Sequence, residues 1–182
     1  MGNFYTNVTL RGPEQRQVIA VVTKSKLTAY VSETVSGLTI VCEEESDGQD
    51  EFIWKGVAET LSRQLACPAL AVLNHDDDML AYALFQKGNL EDEYNSAPGY
   101  FEDHFSEPSG GNAALVTSLF GMPGDVKEVD RVLRERGDNG HSVEIDRHMA
   151  LATALGWPDL EYTLGYGYVD GGDAETEWRR AA

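Results

Sequence analysis

Apolar and polar residues alternate from residue 3 to 11, placing Phe4, Thr6, Val8 and Leu10 on one side, the period of a half-buried strand. Gly12-Pro13 breaks the alternation, and Val18, Ile19 and Val22 follow at helical spacing, with Pro13 expected at the first helical position. Residues 27–32 and 38–43 are β-rich runs around Ser36-Gly37 and predict a hairpin. Asp50 reads as the cap of a second helix through Ala66, with Phe52, Trp54, Val57, Leu61 and Leu65 as its apolar stripe and Pro68 as its stop. Residues 69–73 suit a short buried strand. Residues 79–86 are apolar on both faces, as in a central strand, and after Lys87-Gly88-Asn89 the chain returns as an edge strand over 90–95.

The order β-α-β-β-α-β over roughly residues 3–75 resembles a ferredoxin-like split βαβ unit. The resemblance is one of topology, and it carries no functional residues, because that arrangement hosts many unrelated activities. Residues 97–111 hold two prolines and three glycines and read as a linker loop. Three helices are predicted beyond it. The first, 112–120, carries Leu115, Val116, Leu119 and Phe120; the second, 125–136, opens on Asp125 and Glu128 at capping-box spacing. The third, 142–155, is capped by Ser142, with Ile145, Met149, Ala152 and Leu155 on its inner face. The alternating Tyr and Gly of residues 162–169 predict a last strand, and the chain from Asp170 onward reads as frayed. The fold class is therefore α+β: a ferredoxin-like βαββαβ start extended by a β-hairpin, then a helical C-terminal segment packed on the sheet. In regions this is a sheet part (1–96), a linker (97–111) and a helical part (112–182), one compact unit, because three short helices bury little unaided.

Charge narrows the function more than the pattern does. The 182 residues include 31 acids against 14 Lys and Arg, a net charge of −17. Such a chain repels phosphate backbones and anionic membrane surfaces, so neither direct nucleic-acid binding nor membrane binding is expected. No run of eighteen apolar residues and no secretion signal is visible, and Cys42 and Cys67 sit in apolar stretches, so a cytoplasmic location with reduced cysteines is expected. Sixteen acids and three bases fall between Glu43 and Glu107. They gather in turns: Glu43, Glu44 and Glu45; Asp76, Asp77 and Asp78; Glu91, Asp92 and Glu93; Glu102 and Asp103. Any one acidic turn serves solubility. The four taken together, if they share a face, are expected to attract a cationic partner.

Motifs for catalysis are weak. His75 beside Asp76, Asp77 and Asp78 offers metal ligands, with His75, Asp76 and Asp78 as the candidate set, although the EF-hand glycine and glutamate are missing. The competing reading is a polar turn whose carboxylates bind local backbone N–H groups. Glu144 and His148 are the one helical pair at ligand spacing near His141, and a surface ion pair explains them equally well. Gly110-Gly111-Asn112 opens a helix, where N–H groups hold phosphates, but lacks the P-loop Lys-Ser/Thr. No cofactor is expected. Phe101 and Phe105 are expected to cement the helices onto the sheet, whereas Tyr166 and Tyr168 suit a docking surface.

The leading expectation is a non-catalytic protein that binds a basic protein partner, of inhibitor, immunity or nucleic-acid-mimic type. Its docking set is Glu43, Glu44, Glu45, Asp76, Asp77, Asp78, Glu91, Asp92, Glu93, Tyr166 and Tyr168. Two alternatives stand beside it. One is a metal-dependent enzyme or metal-binding regulator at the His75 turn. The other is an assembly subunit, or homodimer, docking through the strand at 90–94.

Overall fold

The computed structural model describes residues 2–102, 107–135 and 143–182. Its elements are β1 (Tyr5–Arg11), α1 (Gln15–Lys24), β2 (Ala29–Ser32), β3 (Leu38–Glu43), a 3-10 turn (Glu45–Gly48), α2 (Glu51–Leu65), β4 (Pro68–His75), β5 (Met79–Gln86) and β6 (Asn89–Asn95), then β7 (Ser109–Gly110), α3 (Ala113–Phe120), α4 (Val126–Arg134), α5 (Glu144–Ala154), α6 (Tyr166–Gly171) and β8 (Trp178–Ala181). The described strands form one antiparallel sheet in the order β7-β6-β5-β4-β1-β3-β2-β8. Its β4-β1-β3-β2 stretch follows the element order of the ferredoxin-like start, and β5 and β6 extend it as the hairpin.

Strand pleating sends alternate residues to opposite faces, and both faces are covered. On one face Val8, Leu10, Ala69, Ala71 and Leu73 pack against Val18 and Val22 of α1 and Trp54, Val57 and Leu61 of α2. On the other, Tyr5, Leu70, Val72, Leu80, Tyr82 and Leu84 pack against α3, α4 and α5 through Val116, Phe120, Val129, Val132, Leu133 and Leu151. The helical C-terminal segment thus lies on the sheet and closes a three-layer arrangement. Ile40 and Cys42 continue that second face under Tyr166 and Val169 of α6. Cys67 lies in the first core and Cys42 in the second face, and both are free thiols.

Several boundaries differ from expectation for local reasons. Pro13 precedes the cap rather than opening α1: Glu14 is the N-cap, and its N–H donates to Gln17 Oε1 at 2.9 Å. Asp50 caps α2 through Phe52 N, but the helix stops one residue early, at Ala66 in the left-handed region. Asn112 caps α3 as expected; Asp125 caps α4 through Lys127 N, but Glu128 pairs with Arg131 and does not close the expected capping box. Ser142 lies outside the described residues, and α5 has Val143 at its N-cap. The Tyr/Gly stretch is the helix α6, not a strand, because Tyr166 and Val169 bury at helical spacing and Asp47 accepts hydrogen bonds from the N–H groups of Tyr166 and Gly167. The final strand is β8, in the part expected to fray, and it pairs with β2 from Ala29–Ala181 to Ser32–Trp178. Residues 90–95 are not quite the edge: β7 pairs with β6 at Tyr94 and Asn95.

Candidate functional site

Helices α1 and α2 do not cover the whole first face. Among the described residues nothing packs on the β5 and β6 floor beyond α2, and a cleft of about 820 Å³ opens there. That volume lies in the range of roughly 300–1,000 Å³ usual for binding pockets. Leu73, Met79 and Ala81 form the floor, Trp54, Lys55 and Glu51 of α2 one wall, and Glu93, Asn95 and Phe101 the other. Phe4, His75 and Asp47 through Gln49 close the end.

The topology brings acids to this place. β3 runs antiparallel to β1 (Val8 opposite Val41), so its C-terminal Glu43 lies at the Tyr5 end of the sheet, and Tyr5 pairs with Asn74. The 3-10 turn after β3 and the β4–β5 turn therefore share one end. Gln49 ties them: its Nε2 donates to the Asn74 carbonyl at 2.8 Å, and its Oε1 lies 2.6 Å from His75 Nδ1. Glu44, Glu45, Asp50, Glu51 and Asp78 are exposed in these two turns and the start of α2. Glu93 enters from β6. Lys55 Nζ binds both Glu51 and Glu93. Burial works against the Lys55 ammonium, but these two carboxylates outweigh it and hold its pKa above the usual value.

The mouth is aromatic as well as acidic. His75 packs edge-on against Phe4 at 4.9 Å, Phe101 at 5.1 Å and Tyr100 at 5.5 Å. Phe101 is 71% exposed and Phe4 42%. Phe101 thus does not cement helices onto the sheet; it stands at the cleft. Phe105 lies outside the described residues. Phe52, on the apolar stripe expected for α2, is 90% exposed, since the helix faces the sheet through Trp54, Val57, Ala58 and Leu61.

The docking set divides. Glu43 is buried, and its carboxylate accepts hydrogen bonds from Ser46 N and Oγ, so it shapes the 3-10 turn and is not on the surface. Glu44, Glu45, Asp78, Glu91 and Glu93 are exposed. Asp76 and Asp77 are half-buried and bind the start of the chain: Asp76 accepts from Gly2 N at 2.7 Å, and Asp77 from Asn3 N and Asn74 Nδ2. Asp92 points to the opposite face, where it accepts from Tyr82 Oη at 2.7 Å and Asn112 N at 2.6 Å. That carboxylate occupies the start of α3, the position considered for a phosphate. Tyr166 is buried against Tyr30, and Tyr168 is half-buried beside Asn3, so neither forms part of an open docking surface.

The metal set does not assemble. Among the described residues no three His, Cys, Asp or Glu side chains are grouped to hold an ion. His75 turns its Nδ1 to Gln49, Asp76 binds Gly2, and Asp78 faces Tyr100, which is the polar-turn reading of this segment.

A second buried polar group lies across the sheet. His148 of α5 is buried, with Nδ1 2.9 Å from Tyr5 Oη, while Glu144 pairs with Arg147 instead. Glu144 and His148 are therefore no surface pair; His141 lies outside the described residues. Burial pushes the His148 pKa down to about 3 and raises that of Tyr5. The unfolded chain therefore binds one more proton than the folded one between about pH 3 and the ordinary histidine value near 6.5. Stability held above that window is lost on acidification through it, with a slope of up to about 1.4 kcal/mol per pH unit from this group. Urea melts across the window are expected to show a shallower pH slope for His148→Gln than for the parent chain; equal slopes would remove His148 as the source.

No helix among the described residues is long and apolar enough to cross a membrane. Compared with known proteins, the chain matches no family model, no curated protein and no solved structure.

Proposed function

We propose that this is a non-catalytic protein that binds a basic protein partner through the cleft end of its sheet, in the manner of an inhibitor, immunity protein or nucleic-acid mimic. One observation carries the reading: exposed aromatic rings and exposed carboxylates meet at the same opening. Phe4 and Phe101 supply the kind of large apolar anchor that dominates interface energetics, and the exposed Glu51 and Glu93 line the same opening, with Asp78 beside the neighbouring Tyr100 hydroxyl. Carboxylates around an anchor steer a cationic partner and speed association, and the attraction fades with salt.

The test separates a local surface from bulk net charge. A fluorescein-labelled basic peptide is titrated by anisotropy at low and physiological salt. The triple variant Glu51→Gln, Asp78→Asn and Glu93→Gln is compared with Glu128→Gln, Asp130→Gln and Glu135→Gln, which remove the same charge on and beside α4. The cleft variant is expected to lose about tenfold in affinity and the α4 variant little, because charges beyond a Debye length of about 8 Å are screened. Equal losses, or binding indifferent to salt, would defeat the proposal.

A further inference from the structure

We infer that the cleft takes an arginine side chain of the basic partner, and that Lys55 occupies the receiving carboxylates until the partner displaces it. This rests on the reading above, that the acidic end is made for a basic protein. Four features of the cleft match four parts of arginine.

The floor of Leu73, Met79 and Ala81 is apolar and suits a methylene stem, which long cationic side chains lay along such surfaces. The largely exposed Phe101 ring stands at the opening and offers a π face; a guanidinium plane stacks on such a ring, whereas an ammonium is compact and more strongly hydrated. Glu51 and Glu93 come from different elements and converge on a single point, because Lys55 Nζ touches both. The wall is thus already a cation site, filled by the chain's own side chain, which is 24% exposed there.

The fourth feature is the tautomer of His75. Gln49 Nε2 donates to the Asn74 carbonyl, an acceptor only, so the amide oxygen Oε1 is the atom facing His75. The imidazole must then donate from Nδ1–H, and the neutral ring keeps Nε2 as an acceptor. A guanidinium carries five N–H donors in a planar fork and reaches a carboxylate and an imidazole nitrogen together. A lysine ammonium repeats what Lys55 supplies and leaves the Phe101 ring without a stacking partner.

Two acetylated, amidated peptides of equal length and charge decide the matter, one carrying its cations as arginine and the other as lysine. Titrated into the whole protein by calorimetry, the arginine peptide is expected to bind about fivefold tighter, the factor that one stacked cation supplies. Lys55→Met frees the carboxylate pair and is expected to raise arginine-peptide affinity several-fold. Lys127→Met removes the same charge on α4 and serves as the control for net charge, with a smaller gain. Lys55→Gln is the second variant should methionine disturb α2, and a thermal melt reports folding of each. Equal affinity for the two peptides, or equal gains from Lys55→Met and Lys127→Met, overturns the arginine assignment and leaves the acidic-surface reading standing. Binding of neither peptide overturns both.

Discussion

Arg147→Met is expected to destabilise the protein by about 3–5 kcal/mol, because it leaves the buried carboxylate of Glu144 without its partner. Arg147 is 1% exposed and Glu144 7%, and Arg147 Nε lies 2.7 Å from Glu144 Oε2. The guanidinium also donates from Nη1 to the Val132 carbonyl, in the last turn of α4, where helix carbonyls lack a donor within the helix. One side chain thus neutralises α5 and completes the end of α4. Glu144 N in turn donates to the Asp77 carbonyl at 2.9 Å, which links this pair to the β4–β5 turn at the cleft end. Methionine fills similar volume without charge, so the loss reports the orphaned carboxylate more than a cavity. The double variant Arg147→Met with Glu144→Leu is expected to recover most of the loss, since a buried pair replaced whole by apolar residues is often neutral. Urea midpoints of the single and double variants measure both. A single variant within about 0.5 kcal/mol of the parent, the range usual for surface substitutions, would show the pair to be solvated.

Phe120→Ala is expected to cost about 3–5 kcal/mol, the range for emptying an aromatic site in a packed core. Phe120 is fully buried at the end of α3, its ring 5.8 Å from that of Trp157, and the Trp157 indole N–H donates to its carbonyl at 3.0 Å. Its cluster joins sheet residues such as Leu70 and Tyr82 to α4 and α5. Loss at this one site is therefore felt by both layers. Tryptophan fluorescence and far-UV circular dichroism should shift together in the variant, as one transition at lower urea. A drop in the fluorescence midpoint with the dichroism midpoint unmoved would mean that the helical layer melts apart from the sheet.

The first half of the chain was legible because its signals are local. The alternation in β1, the two-sided apolar run of β5 and the Asp50 cap of α2 each follow from spacing alone. The inner face of α5 was legible only in part: Ala152 and Leu155 are buried as their spacing predicts, but the polar part of that face was missed. Apolar spacing selects Ile145 and Met149, yet the structure leaves Met149 49% exposed and buries Glu144, Arg147 and His148. A charged pair at helical spacing has the pattern of a solvated face, and its burial is made tolerable by the Val132 carbonyl across the fold, while Tyr5 does the same for His148. The Tyr/Gly stretch misleads in the same way: alternation fits a strand, and the cap that makes it a helix, Asp47, lies over a hundred residues earlier. The cleft is a product of topology. Trp54, His75, Glu93 and Phe101 come from four segments, and nothing in their sequence spacing joins them. The acidic turns gave no sign of which carboxylates are used internally, as Glu43 and Asp92 are.

Residue-resolved NMR of the isotope-labelled whole chain, titrated with the basic peptide at physiological salt, locates the bound partner. Saturable shifts are expected to concentrate at Phe4, Gln49, the Trp54 indole, His75, Glu93 and Phe101. Shifts centred on α4 or β8, or spread evenly over the surface, would contradict a docking site at the cleft.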